Sequence, residues 1–286
     1  MSLGVTSRSL RGISVVVALL AIGASGCSDG ADEDGANKHA VSSLATGDCY
    51  NLDGKSGGSD EPAVQAVPCE EPHLGQVVDE FTIDDEKSFP GDDAVAVIAD
   101  GRCPAAAQKF APDPWALPQG VDVFYYHPSK TSWAAGDRAV SCAYTSASGT
   151  FSGSLKSDPL DADQLAYLKG SAAVYDALWA HQPEGEKAAD DLPGYKVQAR
   201  AVAAALDTHI QTLRGIEQPE TGKLRARLEE AAAEWKTAAS AGDAGTFQTA
   251  YDAAFAGIDP SKSIAARKEL KLATTVPADE AEGWAG

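Results

Sequence analysis

Five cysteines, a histidine close to one of them and two acid-bearing turns are the residues of this 286-residue chain whose types and spacing could do chemistry. Cys49, Cys69, Cys103 and Cys142 all fall in the first half, while Cys27 stands apart near the start. An even set of four in a chain that leaves the cytoplasm reads as two disulfides, with three connectivities that spacing alone does not separate. Sequential pairing, Cys49 with Cys69 and Cys103 with Cys142, is the arrangement expected here, and each closed loop would contribute about 3 to 4 kcal/mol on a chain-entropy account. The competing chemistry is zinc binding, since three residues separate Cys69 from His73. Close Cys-x-x-Cys pairs are absent, so no metal site is expected.

The run from Ile13 to Ile22, preceded by Arg8 and Arg11 and followed by Ala24-Ser25-Gly26-Cys27, has a basic start, a short apolar stretch and a small-residue exit. It resembles a bacterial lipoprotein signal peptide, which implies cleavage after residue 26 and a diacylglycerol anchor on Cys27 whose acyl chains include palmitate. Acyl chains contribute about 0.8 kcal/mol per buried methylene and so hold a protein at a membrane without a spanning helix. The expected location is the extracytoplasmic face of the bacterial cell membrane. No later stretch approaches the roughly 18 consecutive apolar residues of a transmembrane helix.

Net charge is -19; without residues 1–26, which hold two arginines and no acid, 21 basic residues face 42 acidic ones, a net charge near -21. That charge excludes nucleic acid as an expected partner. Residues 27–43 are rich in acids, Gly and Ser and read as a flexible tether of very roughly 20 to 25 Å.

Positioning the cysteines requires a folded domain over residues 44–156. Ala63 to Val67, Gln76 to Ile83, Val121 to Tyr126 and Arg138 to Tyr144 read as strands, with Thr150 to Leu155 a weaker fifth. Acids at Asp92-Asp93 before an Ala-rich run predict one or two helices between the second and third of these. Residues 160–272 change character. Leu165, Leu168, Ala172, Tyr175 and Leu178 form one helical stripe; Ala199, Val202, Leu206, Ile210 and Leu213 form a second; Leu224, Leu228, Ala231, Trp235 and Ala238 form a third. Phe247, Tyr251 and Ala254 form a shorter fourth, and starts are expected at Asp191, Pro219, Asp243 and Asp259. The predicted fold class is α+β: a small disulfide-stapled domain, then an all-α antiparallel bundle, with residues 273–286 expected to fray.

Gly47-Asp48-Cys49, Cys69-Glu70-Glu71-Pro72-His73, Gly136-Asp137-Arg138 with Cys142, and Ser152-Gly153-Ser154-Leu155 recur in an order that resembles the septum-formation domain family of high-GC Gram-positive bacteria. The resemblance covers about residues 44–155. It implies an exported or membrane-tethered domain with a link to cell division, and names no reaction. Gln76 stands where an acid is common in that family, so a role carried by that acid does not transfer.

Asp48, His73 and Arg138 are the candidate ligand contacts, convergent on one polar cleft in the functional reading and a turn acid, a loop clamp and a salt-bridge partner in the bland one. Tyr125 and Trp133 are candidate sugar-stacking rings within the aromatic stretch Trp115, Phe124, Tyr125, Tyr126 and Trp133. No nucleophile or second histidine lies near His73 in sequence, no Gly-x-Ser-x-Gly, Ser-x-x-Lys or His-Glu-x-x-His occurs, and no cofactor or catalytic set is expected. Binding or scaffolding among envelope or division proteins is the leading functional expectation. Capture of a ligand or cell-wall glycan is the second, and wall modification using Asp48 and His73 the weakest.

Overall fold

The structure, a computed structural model, describes residues 38–53 and 63–284. The expected signal segment and Cys27 lie outside the described residues. Within them the chain forms two compact units, one containing residues 120–156 and the chain up to Ala111, the other containing Pro112–Gln119 and the chain from Ser157 onward.

The first unit is a six-stranded sheet of antiparallel neighbours in the order β1-β3-β2-β4-β6-β5. Its strands are β1 (Lys38–Ala40), β2 (Cys49–Leu52), β3 (Ala63–Val67), β4 (Gly75–Thr82), β5 (Val121–Tyr126) and β6 (Ala139–Ser146). Helices α1 (Asp92–Phe110) and α2 (Lys130–Ala134) complete it. Alternation along β6 sends Cys142 and Tyr144 to one face and Ala143 to the other. On the first face, Cys142 is bridged to Cys103 of α1 and the Tyr144 hydroxyl donates to the Ala107 carbonyl at 3.0 Å. Burial pushes the Tyr144 phenol up to about 12, so it remains the donor. On the other face, Ala143 joins Val41, Leu44, Tyr50, Val64 and Val77 in a buried cluster.

One helix, α1, stands where one or two were expected: it continues through Pro104, whose neighbour Cys103 is cross-linked to the sheet. Two other expectations change. Thr150 to Leu155 is not a strand; only Phe151 pairs, in an isolated bridge with His73. The tether expected over residues 27–43 gives way at Lys38, because β1 pairs with β3 and Val41 is fully buried.

The second unit contains α3 (Ala162–Ala180), α4 (Leu192–Arg214), α5 (Pro219–Ser240), α6 (Ala244–Gly257), α7 (Ile264–Glu269) and α8 (Ala278–Gly283). Asp161, Asp191 and Asp243 accept from backbone N–H groups at the starts of α3, α4 and α6, satisfying donors that the helix itself leaves open. Successive helices run antiparallel: Gln198 near the start of α4 donates to the Leu178 carbonyl near the end of α3 at 2.8 Å. Asp207 of α4 meets Lys236 of α5, and Trp235 of α5 meets Tyr251 of α6. The stripes of α4 and α5 are buried throughout; on α3, Tyr167 and Val174 point inward while Leu165 is 45% exposed. Leu165 lies in the first turn of α3.

The frayed tail is also corrected. Residues from Ala273 onward carry α8 and Trp284, and the Trp284 indole donates to the Phe255 carbonyl at 3.2 Å. The expected first domain of 44–156 loses residues 112–119, which leave α1 and fold with the helices. Asp113 forms a buried ion pair with Arg267 and accepts from the Ala273 amide at 3.0 Å. Arg267 lies 3.9 Å over the Trp115 ring, and the Trp115 indole donates to Glu280 at 3.0 Å.

Candidate functional site

β4 sets the positions of the expected polar residues. His73 lies two residues before it, Gln76 within it, and Arg138 opposite Ile83 just past its other end. Eight strand residues at about 3.3 Å each separate the two ends by roughly 25 Å, so Arg138 does not share a cleft with His73.

His73 is fully buried. Its backbone exchanges both hydrogen bonds with Phe151, its Nδ1 lies 2.8 Å from the Glu71 carbonyl, and its ring meets the Phe151 ring at 4.3 Å. It clamps the loop before β4 to the segment after β6. Asp48 is exposed and accepts from the Ala45 amide at 2.9 Å, closing its own turn.

Between these lies a residue that sequence reasoning singled out only as a departure from the family pattern. Gln76 is 1% exposed, and its Nε2 donates to the Gly47 carbonyl and to Ser154 Oγ, each at 2.9 Å. Its Oε1 accepts from the Leu155 amide at 2.7 Å. One side chain thus satisfies three groups in two segments with both donor and acceptor atoms, which an ionised carboxylate, an acceptor only, does not do. Cys69, bridged to Cys49, lies beside it, with Sγ 3.6 Å from Nε2. The loop of Asp48, the first disulfide and the Gly153-Ser154-Leu155 turn therefore form one node.

At the far end, Trp133 is 4% exposed and Arg138 stacks over it at 3.9 Å. Arg138 Nη1 donates to the Trp133 and Asp137 carbonyls, both at 2.7 Å. The guanidinium is thereby engaged in ordering the α2 to β6 turn. Asp137 spends its carboxylate on the Ala139 amide and forms no pair with Arg138 among the described residues. Tyr125, a candidate stacking ring, is 6% exposed and faces the α1 side; the rings with open area on this strand are Phe124 and Tyr126, 5.0 Å apart edge to face.

The helical unit holds two recesses of its own. A groove of about 590 Å³ between α4 and α5 is floored by Ala232 and Ala233 and bordered by the ion pairs Arg214 with Glu229 and Lys236 with Asp207. A cavity of about 30 Å³, room for a water molecule, lies among Tyr167, Tyr175, His209 and Ile258. His209 is 3% exposed and its Nδ1 has no partner among the described residues. Burial lowers its titration to about 4, leaving the ring neutral. Gly170 of α3 makes room for it, since a Cβ there would run into the imidazole.

The class these features define is a disulfide-stapled α+β module joined to an antiparallel helical unit. Residues 24–152 match the family described as septum formation. The matched segment holds all six strands and both disulfides, and stops short of Ser154 and Leu155 in the Gln76 node. No curated protein and no solved structure matches the chain. Among the described residues, no helix is long and apolar enough to cross a membrane.

Proposed function

We propose that the protein is an envelope lipoprotein, anchored through Cys27, that binds or scaffolds other envelope components during septum formation without catalysing a reaction. The observation that carries this reading is the match of residues 24–152 to the septum-formation family. The engagement of His73, Asp48, Gln76 and Arg138 in holding loops together supports a surface whose work is presentation. Two disulfides fit an oxidising compartment.

The test is imaging of a fluorescently tagged full chain in dividing cells of a high-GC Gram-positive host. Enrichment at septa is expected, with Cys27→Ser releasing the protein from the membrane fraction. Uniform membrane distribution throughout the division cycle removes the septal role, and membrane retention of Cys27→Ser removes the anchor.

A further inference from the structure

The two disulfides differ in what surrounds their sulfurs. Cys103 lies in α1 and Cys142 in β6, and both are fully buried. Cys142 is paired on both sides, with Asp79 of β4 and Tyr125 of β5. Cys49 opens β2, pairs with Val67 and Gln76, and is 1% exposed. Its partner Cys69 stands outside the strands, in the turn that the Glu71 amide closes on the Pro68 carbonyl at 3.0 Å, and is partly exposed. Of the four bridged cysteines, Cys69 is the one with open area.

Thiol exchange requires a thiolate to reach one sulfur of a disulfide, so access decides which bridge reacts and at which end. Attack at Cys69 forms a bond between Cys69 Sγ and the incoming sulfur and breaks the bond to Cys49, which leaves as a thiolate and takes up a proton. Gln76 Nε2 lies 3.6 Å from Cys69 Sγ as a donor, and an N–H donor stabilises the thiolate set free there when the incoming sulfur leaves again. The two cysteines also stay neighbours once the bond is open. β3 and β4 hold Cys49 from either side, the Cys69 carbonyl accepts from the Gly153 amide at 2.6 Å, and His73 exchanges backbone hydrogen bonds with Phe151. Reclosure is therefore local.

The charge around the site selects what enters it. Asp48 beside Cys49, and Glu70 and Glu71 beside Cys69, are all exposed. Lys156, whose amide donates to Ser154 Oγ at 3.2 Å, sets one positive charge against these three acids. An anionic thiol is repelled and a cationic one drawn in, over the roughly 10 Å that charges reach at 0.1 M salt.

We propose that the bridge of Cys49 and Cys69 is a thiol-exchange site entered at Cys69, that its partner is a dithiol protein with positive charge around its reactive cysteine, and that the bridge of Cys103 and Cys142 is a permanent staple. The dithiol supplies both electrons. Its first sulfur forms the mixed disulfide with Cys69, and its second displaces the first. The partner ends as a disulfide, and its two protons end on the thiols of Cys49 and Cys69.

The experiment uses the folded full chain, treated with cysteamine, a cationic thiol, and stopped at partial conversion with N-ethylmaleimide before peptide mass spectrometry. Cysteamine is expected on Cys69 and the maleimide on Cys49, with Cys103 and Cys142 still bridged. Cysteamine on Cys49, or both bridges opening at the same rate, overturns the site. Mercaptoethanesulfonate, an anionic thiol, is expected to react about threefold more slowly at equal thiolate concentration and low ionic strength. An equal or faster rate overturns the assignment of the partner's charge. Glu70→Gln combined with Glu71→Gln, both at exposed positions, should bring the two rates together, and a ratio unchanged from the wild-type chain overturns the selecting role of these acids. None of these readings depends on where in the envelope the protein sits, so a uniform cellular distribution would leave the exchange site standing while the septal reading fell.

Discussion

The two units reach a fixed structure by different means. The α+β unit has strands of 3 to 8 residues and carries both disulfides, with the Gln76 node beside one of them. The helical unit has four helices of 14 to 23 residues and no cysteine, and is held by a continuous apolar core and one buried ion pair. Long helices share one stripe over many turns, so each contributes burial to the same core. Short strands joined by Gly and Pro turns each give only a few residues to the core, and covalent closure adds to that burial by restricting the unfolded chain. Cross-links stand where the strands are short.

The largest expected effect tests that statement directly. Replacing both cysteine pairs by serine, or reducing the protein, should cost about 3 to 4 kcal/mol per bridge. In calorimetry the α+β unit is expected to lose its transition while the helical transition stays within a few degrees. Movement of both transitions together would break the comparison, showing that the units do not unfold separately.

A somewhat smaller effect is expected from Arg267→Met, which leaves Asp113 as a buried charge without its partner and should cost about 3 to 5 kcal/mol in the helical transition. Adding Asp113→Leu removes that charge and is expected to recover most of the loss. A double variant no more stable than the single one would show that the pair acts through geometry rather than charge. Because residues 112–119 fold with the helices, this substitution also tests whether the excursion from α1 belongs energetically to the second unit.

The third effect distinguishes the units by pH. Folding lowers His209 from 6.5 to about 4, so between those values the unfolded chain binds a proton that the folded chain refuses. Stability contributed by neutral His209 is therefore present above about pH 6.5 and lost as pH falls towards 4, a change of order 3 kcal/mol. Urea midpoints of the helical unit should fall across that window, and His209→Gln should flatten the slope. An unchanged slope in the variant would assign the acid sensitivity to other groups.

Much of the architecture is legible in the residue pattern. β3 and β5 coincide with the alternating runs Ala63 to Val67 and Val121 to Tyr126, because a half-buried strand imposes a period of two on its own sequence. The starts at Asp191, Pro219 and Asp243 are readable because capping is a local requirement. β1 and β2 escape notice, being three and four residues long and identified only by the neighbours they pair with. His73 reads correctly as a residue near a bend; that its partner ring is Phe151 is not local information.

By itself the sequence determined the division into a cysteine-bearing sheet segment and a helical segment, the helix starts, and the resemblance that leads to septum formation. Each is carried by residues close together in the chain or by composition. Tertiary structure alone decided that Gln76 joins two loops, that Tyr125 is covered, that residues 112–119 leave the sheet unit for the helices, and that Trp284 closes on Phe255. The physical reason is sequence separation: Asp113 and Arg267 lie 154 residues apart. Periodicity records how much of an element must be buried, whereas the identity of what buries it arises only when distant segments meet.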